Sequence, residues 1–591
     1  MKVEYNNSTY LYTAIFVVLA ILLQWLGAYQ FYYVEQNQLF QYAWTYVGGR
    51  LGQVGGLAVV VSEFCVQFYA VPYLGALITA AWLTLVGALT HLLLLRFRPA
   101  TRWWTLSILP VITLMLMHFD YNYQTSGTVA FALMLAALNL TFLLRSVAVR
   151  LAAHTFATIA LFVLAGPVFA LYAVIATVCE LCFCNDGKHF YALLLPLLAL
   201  LTGILSVHQL WTCEYRHTFL PDGYYHDVMQ PRMVIYFAWI AILVIVISLR
   251  LLPEWNRGWK RDIAIYGVQV ALYIIICTQG IRRYGDIASY EIKKFDYFSR
   301  TEQWDRILDC ATPKINNYRY LNYFNLALAG KGQLGSHLFT LDQHGVQGLL
   351  PVWDGTAPSA LLAGDIYFAV NHIAKAQEMA FEANISAMCG GNPRAVKRLV
   401  QTNIVFGFYA VAEKYIRLLE STFAYRSWAK SQRRFLYNDA AVEADPLLGD
   451  KRRSLPADDH LALTRGLEAD FLDIANANPS NSNAMEFAGA LLLLDKNMSA
   501  MQELLKLYGT PALTTLPRSF QEAALMIYEQ QPDMWTHFRL PTDRVGVFNT
   551  FRREVIANRS AGDALPAMLE SSFGDTYYYY YLYKKLPQPT Q

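Results

Sequence analysis

About nine apolar stretches crowd the first 280 residues, at 11–31, 72–95, 104–118, 126–144, 155–165, 169–184, 190–207, 233–249 and 263–280. A lipid core roughly 30 Å thick is crossed by about 20 apolar residues, and only a helix or a closed barrel satisfies its own backbone there. The runs are continuous rather than alternating, so they specify helices. The Gly166-Pro167 pair is either a tight turn between two spans or a kink in one. The first run has the length of a signal peptide, but it lacks an Ala-x-Ala exit and further spans follow, so it is expected to stay as the first helix.

Composition agrees. Of 591 residues, 55% are apolar and only 15% charged, too little charge to solvate an ordinary globule of this length. The charge gathers in the last 311 residues, which read as a soluble helical protein. A net charge of +3, with no basic cluster interleaved with aromatics, excludes nucleic acid as a partner. The eight cysteines sit mostly in apolar runs and form no disulfide framework. Cys182 and Cys184 are too closely spaced for a zinc pair and have no second pair to complete one.

Lysine and arginine in short loops orient the bundle. With the N-terminus cytoplasmic, inner segments hold Lys2, Arg96, Arg98, Arg102, Arg145, Arg150, Lys188, Arg250, Arg257, Lys260 and Arg261, eleven against Arg50, Arg216 and Arg232 outside. Nine spans that start inside end outside, which puts the rest of the chain in the periplasm of a Gram-negative cell. The expected fold is all-α: a polytopic transmembrane bundle over 1–283, with a long first outer loop at 33–71, then a periplasmic helical-hairpin domain over 284–591. Arg282 and Arg283 stand on the outer end of the last span, against the charge rule.

In the soluble half, apolar residues three and four apart place helices at 289–298, 302–310, 320–329, 368–388, 393–420, 427–436, 484–494, 499–507, 519–529, 543–557 and 564–569. Long connecting loops are expected at 342–361 and 438–461. The stretches ALAGKGQLGSHLF at 327–339 and GFYAVAEKYIRLLE at 407–420 resemble tetratricopeptide hairpins, which need small residues where helices pack closely. Such an array implies a surface for a periplasmic protein partner. Five consecutive tyrosines, 577–581, cannot share one face of a helix or strand, so some are expected to be exposed; they suit lipid headgroups or a partner, and docking of the segment on its own array is the favoured expectation.

Chemistry is sought in the outer loops. The first opens with Glu35 and Gln36 among aromatics and amides and also carries Arg50 and Glu63; the second has Asp120 as its only acid; a later one holds Arg216, Asp222 and Arg232. The first loop is expected to hold an amphipathic helix lying in the interface. An acid opening a long first outer loop, a second acid where the third span exits, and a helical outer domain after the last span together resemble the GT-C glycosyltransferases. The chain is also similar to a bacterial membrane protein family with this two-part layout.

The GT-C resemblance implies transfer of a sugar or related group from a polyprenyl-phosphate donor, with membrane lipid around it. By position, Glu35 matches the first-loop acid and Asp120 the second-loop acid, acting as general base or metal ligand. Where many members pair two acids, this chain has Glu-Gln at 35 and 36, so the cofactor stays open: a divalent metal has no acidic pair motif to hold it. A base takes the acceptor's proton and cations hold the departing phosphate, a task for Arg282 and Arg283 with Arg50 or Arg232. The competing expectation is a non-enzymatic scaffold that recruits partners for envelope assembly. A transporter fits less well, because the spans offer few ionisable residues apart from His91, His154 and Glu180.

Overall fold

The computed structural model describes residues 2–585 except 99–102, 185–188, 211–213, 227–228, 253–258, 286, 313, 316, 388–389, 457–466, 478–481 and 508–515. Arg102, Lys188 and Arg257 of the inner charge count, Cys213 and Cys389, and part of the loop expected at 438–461 therefore lie outside the described residues. Among the described residues the chain is all-helical, with no strand. It divides into two compact units, the first comprising Met1–Tyr290 with the short pieces Met388–Gly390 and Ser421–Ala424, the second the remainder.

The first unit contains α1 (Lys2–Glu35), α2 (Trp44–Leu51), α3 (Gly56–Val66), α4 (Leu74–Phe97), α5 (Ile108–Met117), α6 (Ser126–Thr141), α7 (Val147–Ala165), α8 (Val168–Phe183), α9 (Leu194–Leu205), α10 (Tyr215–Phe219), α11 (Phe237–Leu251) and α12 (Trp259–Tyr284). Among the described residues six helical stretches are long and apolar enough to cross a membrane: Tyr10–Glu35, Leu74–Phe97, Val147–Ala165, His189–His208, Met233–Leu251 and Trp259–Tyr284. Four others, Gly56–Ala70, Trp104–Met117, Ser126–Thr141 and Val168–Phe183, are apolar but shorter.

Burial explains the two lengths. The apolar windows of Tyr10–Glu35 and Trp259–Tyr284 are only 17% and 11% buried, so these helices present their sides outward and must match a full lipid core themselves. By contrast every residue from Pro110 to Met117 in α5 is buried, as is most of α6 and α8. A 16-residue helix rises about 24 Å, less than a bilayer core, yet protein on every side removes the need to match the lipid.

Without a hydrophobic drive between helices in lipid, close backbone approach and interhelical hydrogen bonds hold such bundles together. A Cβ on Gly75 of α4 would lie 2.6 Å from the Phe31 Cβ of α1, so only glycine lets these two helices meet here. Asn139 of α6 donates to the Leu89 carbonyl of α4 at 3.0 Å, and Tyr12 of α1 donates to the Gly87 carbonyl at 3.2 Å.

The Gly166-Pro167 pair proves to be a turn. Gly166 has φ +82°, a conformation that L side chains rarely adopt, and it reverses the chain between α7 and α8. The Tyr224 hydroxyl donates to the Ala165 carbonyl at 2.6 Å and accepts from the Val168 amide at 3.1 Å, closing the turn. Gly55, with φ +76°, donates its amide to the Val163 carbonyl at 3.0 Å, and α3 continues from there against α6 and α7. The helix expected to lie in the interface is thus packed on the bundle, with Gly56, Ala58, Ser62, Glu63 and Val66 buried.

The second unit is built of helical hairpins. Ala357–Ala369 pairs with Ile373–Ile385, and Pro393–Phe406 with Tyr409–Glu420. The helices expected at 368–388 and 393–420 differ from these because Asn371 (φ +68°) and Gly407 (φ +78°) adopt left-handed conformations that end a helix. The loop expected at 342–361 gives way to helix at Ala357. The tyrosine run forms the helix Tyr577–Tyr583, and Tyr577, Tyr578, Tyr579 and Tyr580 are all buried. The exposure expected for some of the five is met at Tyr581 only in part, because neighbours surround this helix. The Tyr580 hydroxyl donates to the Leu494 carbonyl at 2.8 Å, Tyr579 to the Pro566 carbonyl at 3.1 Å, and the Tyr577 amide to Glu522 at 2.7 Å.

Candidate functional site

Alternating helix directions bring the ends of several helices together with the loops that follow them. The last turn of α1 tightens through i to i+3 bonds, Gln36 to the Tyr33 carbonyl and Asn37 to the Val34 carbonyl, both 3.1 Å. This turns the polar sequence Glu35-Gln36-Asn37 inward; the three residues are 3%, 2% and 6% exposed. Gln36 Nε2 donates to Glu35 Oε2 at 2.5 Å. Two residues before Glu35, the Tyr33 ring meets Tyr121 edge to face at 5.4 Å, which joins the end of α1 to the loop after α5.

That loop is organised by Asp120. Its Oδ1 accepts from the Asn122 amide at 3.0 Å and from Asn122 Nδ2 at 3.1 Å, an Asx-type turn. Its Oδ2 accepts from the Tyr225 hydroxyl at 2.6 Å and faces Arg232 Nε at 3.2 Å. Backbone pairing zips the two loops together: Tyr123 bridges Tyr225 in antiparallel fashion, Gln124 donates to the Tyr224 carbonyl at 2.9 Å, and His226 to the Asn122 carbonyl at 3.0 Å. Burial first, then the Asp120 charge, pushes the Tyr225 phenol well above its ordinary value, so it remains a donor. Arg232 also donates to the Tyr284 carbonyl at 3.1 Å and so reaches the end of α12.

Two further acids in these loops are likewise matched with arginine and tyrosine. Glu63, 2% exposed, accepts from the Tyr46 hydroxyl at 2.7 Å and lies 3.2 Å from Arg50, whose guanidinium sits 5.4 Å from the centre of the Tyr46 ring. Asp222, 1% exposed, lies 2.6 Å from Arg216 Nε and accepts from the Tyr236 hydroxyl at 2.5 Å. The arginines keep a solvent-facing side: the side chains of Arg232 and Arg216 are 38% and 52% exposed.

Of the candidates read from the sequence, Asp120 and Arg232 are in contact, Glu35 and Gln36 are in contact, and Arg50 pairs with Glu63. Arg282 and Arg283 are exposed on the last turn of α12, and the arginine beside Asp120 is Arg232. The sequence reading missed Tyr225 and gave Glu63 and Asp222 no role. The only signal for Tyr225 is a second tyrosine-rich loop, Gly223-Tyr224-Tyr225, to match Tyr121-Asn122-Tyr123. Among the described residues no group of three or more His, Cys, Asp or Glu comes together as a metal site. Asp120, Glu63 and Asp222 each meet an arginine instead of another acid.

The far end of the α7–α8 hairpin carries a different cluster. Arg150 holds Glu180 through two parallel contacts, Nε at 2.5 Å and a second terminal nitrogen at 2.9 Å, and His154 Nε2 lies 3.5 Å from the same carboxylate. Here the side chains are closed off, at 7%, 0% and 0% exposure for Arg150, Glu180 and His154. In the second unit, an open cavity of about 570 Å³ is lined by Met498, Met526, Phe548, Arg552, Tyr578 and Tyr581 among others.

The model of a family of unknown function, DUF6057, matches residues 5–584. No curated protein and no solved structure matches the chain.

Proposed function

We propose that this chain, which belongs to DUF6057, is a membrane enzyme of glycosyltransferase type. It moves a sugar or related group from a polyprenyl-phosphate donor to an acceptor at the periplasmic face of a bacterial inner membrane. The observation that carries this reading is the meeting of Asp120 with Arg232, from loops more than a hundred residues apart, beside the aromatic contact that leads to Glu35. The topology follows if the six long helices and the short, enclosed Trp104–Met117, Ser126–Thr141 and Val168–Phe183 all count as crossings. Nine crossings put the two ends of the bundle's chain on opposite sides. The arginine surplus at the other end then marks the cytoplasm.

Each residue has a part in that reaction. The acceptor hydroxyl attacks the sugar carbon, the carbon–oxygen bond to the phosphate breaks, and Glu35 takes the hydroxyl proton. Gln36 fixes the Glu35 carboxylate by donating to one of its oxygens. Arg232 pairs with the phosphate as it leaves with the bonding electrons. Asp120 is a positioning residue: Tyr225 and Asn122 fill its remaining lone pairs and aim it at Arg232. Arg282 and Arg283 serve as exposed cations for lipid phosphates around the site, and Arg50 stays with Glu63. No step requires a metal.

The test is sugar transfer from a polyprenyl-phosphate sugar by protein in nanodiscs. Glu35→Gln and Arg232→Met are expected to abolish transfer while the protein stays folded; full activity in both variants overturns the assignment. A scaffold role remains the second reading, favoured by the helical hairpins and the aromatic cavity of the second unit. It predicts that the chain captures one defined envelope protein, and that Glu35→Gln leaves this capture unchanged.

A further inference from the structure

In the second unit, the helix Pro393–Phe406 opens with an Asn392 cap that accepts from the Ala395 amide at 3.0 Å, and its first two turns carry Arg394, Lys397 and Arg398. Arg394 bonds Asp296 at 2.5 Å and also Asp365; Arg398 bonds Asp365 at 2.9 Å and lies 3.6 Å over the Phe368 ring. These two arginines are therefore satisfied.

Two neighbours are not. The Lys397 ammonium lies 4.8 Å from the centre of the Trp428 ring and has no hydrogen bond or ion pair among the described residues. Arg300, at the end of the helix Ile287–Arg300, rests against Tyr297 at 5.5 Å, and its buried Nε has no hydrogen-bond partner. Burial, together with Arg398, Arg300 and Arg394, which outweigh Asp365, draws the Lys397 amine down to about 8. A like-charged group of this kind, with unfilled donors and the positive end of a 14-residue helix beside it, is destabilising unless something negative completes it. The Asn392 side chain is 0% exposed, and its Nδ2 is a further buried donor without an acceptor at the same helix start.

We propose that Lys397 and Arg300, backed by Arg398, form a site in the second unit for a small oxyanion of phosphate type. The cations supply charge-assisted hydrogen bonds to its oxygens. This assignment stands apart from the acids of the first unit and holds whether or not they carry out transfer.

The experiment follows the thermal unfolding midpoint of the full chain in nanodiscs. One arm adds inorganic phosphate to discs of phosphatidylcholine; the other dopes the discs with phosphatidic acid and adds no free phosphate. Stabilisation in the first arm identifies a soluble ligand, and stabilisation in the second alone identifies a lipid headgroup. Lys397→Met and Arg300→Met keep the aliphatic packing, and each is expected to weaken phosphate binding about tenfold or more. In anion-free buffer both variants should unfold no earlier than the wild type, because each removes a repelled charge whose loss outweighs its contact with Trp428 or Tyr297. The site is refuted if neither arm shifts the midpoint, if the variants respond as the wild type does, or if they are less stable without anion.

Discussion

The two ends of the α7–α8 hairpin use the same chemistry to opposite effect. At one end Arg150, Glu180 and His154 form a closed set, with the carboxylate gripped at 2.5 and 2.9 Å and every member buried. At the other, Asp120, Glu63 and Asp222 are as deeply buried, but Arg232 and Arg216 each keep one side open. A bidentate pair with nothing left to offer is a clamp. An arginine held by a buried carboxylate while its own side chain stays partly exposed is a charge that solvent still reaches. Buried acids alone do not separate the two cases; the exposure of the cation does.

That contrast is broken most forcefully at the closed end. Arg150→Met strands the Glu180 charge inside the bundle and is expected to remove about 3–5 kcal/mol of stability, read as a collapse of folded yield in detergent. Adding Glu180→Leu to it should restore most of the loss, since removing both charges leaves no orphan. At the open end the expected effect is on rate. Glu35→Gln should lower transfer by about a hundredfold or more at nearly unchanged stability, as expected for loss of a base. Arg232→Met should cost about 1 kcal/mol of stability or less, because Asp120 keeps its hydrogen bonds from Tyr225 and Asn122 and the arginine itself is partly exposed. A fall in yield as large as that of Arg150→Met would show that the open end is a clamp too.

Gly75→Leu probes the frame beneath the open end. The close approach to Phe31 leaves no space even for a Cβ, so α1 must shift, at about 1–3 kcal/mol, and Glu35 shifts with it. Transfer should fall along with the thermal midpoint. Unchanged transfer with a lowered midpoint would separate Glu35 from the reaction.

The frame was legible because hydrophobic length is local. The long outward-facing helices Tyr10–Glu35 and Trp259–Tyr284 declare themselves residue by residue, and Gly166 marks a turn between α7 and α8 that glycine takes easily. Left-handed Asn371 was not legible, since asparagine only tolerates what glycine permits, and the helix expected at 368–388 ran across it. The site was half legible. Charge counting grouped Glu35, Asp120 and Arg232 on one side, but it could not pair Asp120 with Arg232, because pairing depends on which loops zip together. It favoured Arg282 and Arg283 for standing against the charge rule, although position along the chain does not say which way a side chain turns. The tyrosine run shows the same limit: the pattern requires several faces, and only packing decides that four of them are covered.

A single hydrogen bond gives the sharpest test of what holds Arg232. Asp120 Oδ2 is shared between the Tyr225 hydroxyl and the guanidinium, while Oδ1 belongs to Asn122. Tyr225→Phe removes one hydrogen bond and should cost about 0.5–1.5 kcal/mol. Its larger consequence is geometric. Without the phenol the carboxylate is free to rotate, so Arg232 loses its aim while keeping its charge. If Arg232 meets the leaving phosphate, Tyr225→Phe should lower the turnover of bound donor more than its affinity, because the mismatch is felt where charge develops. If Arg232 only anchors the loops, the two should change together or not at all.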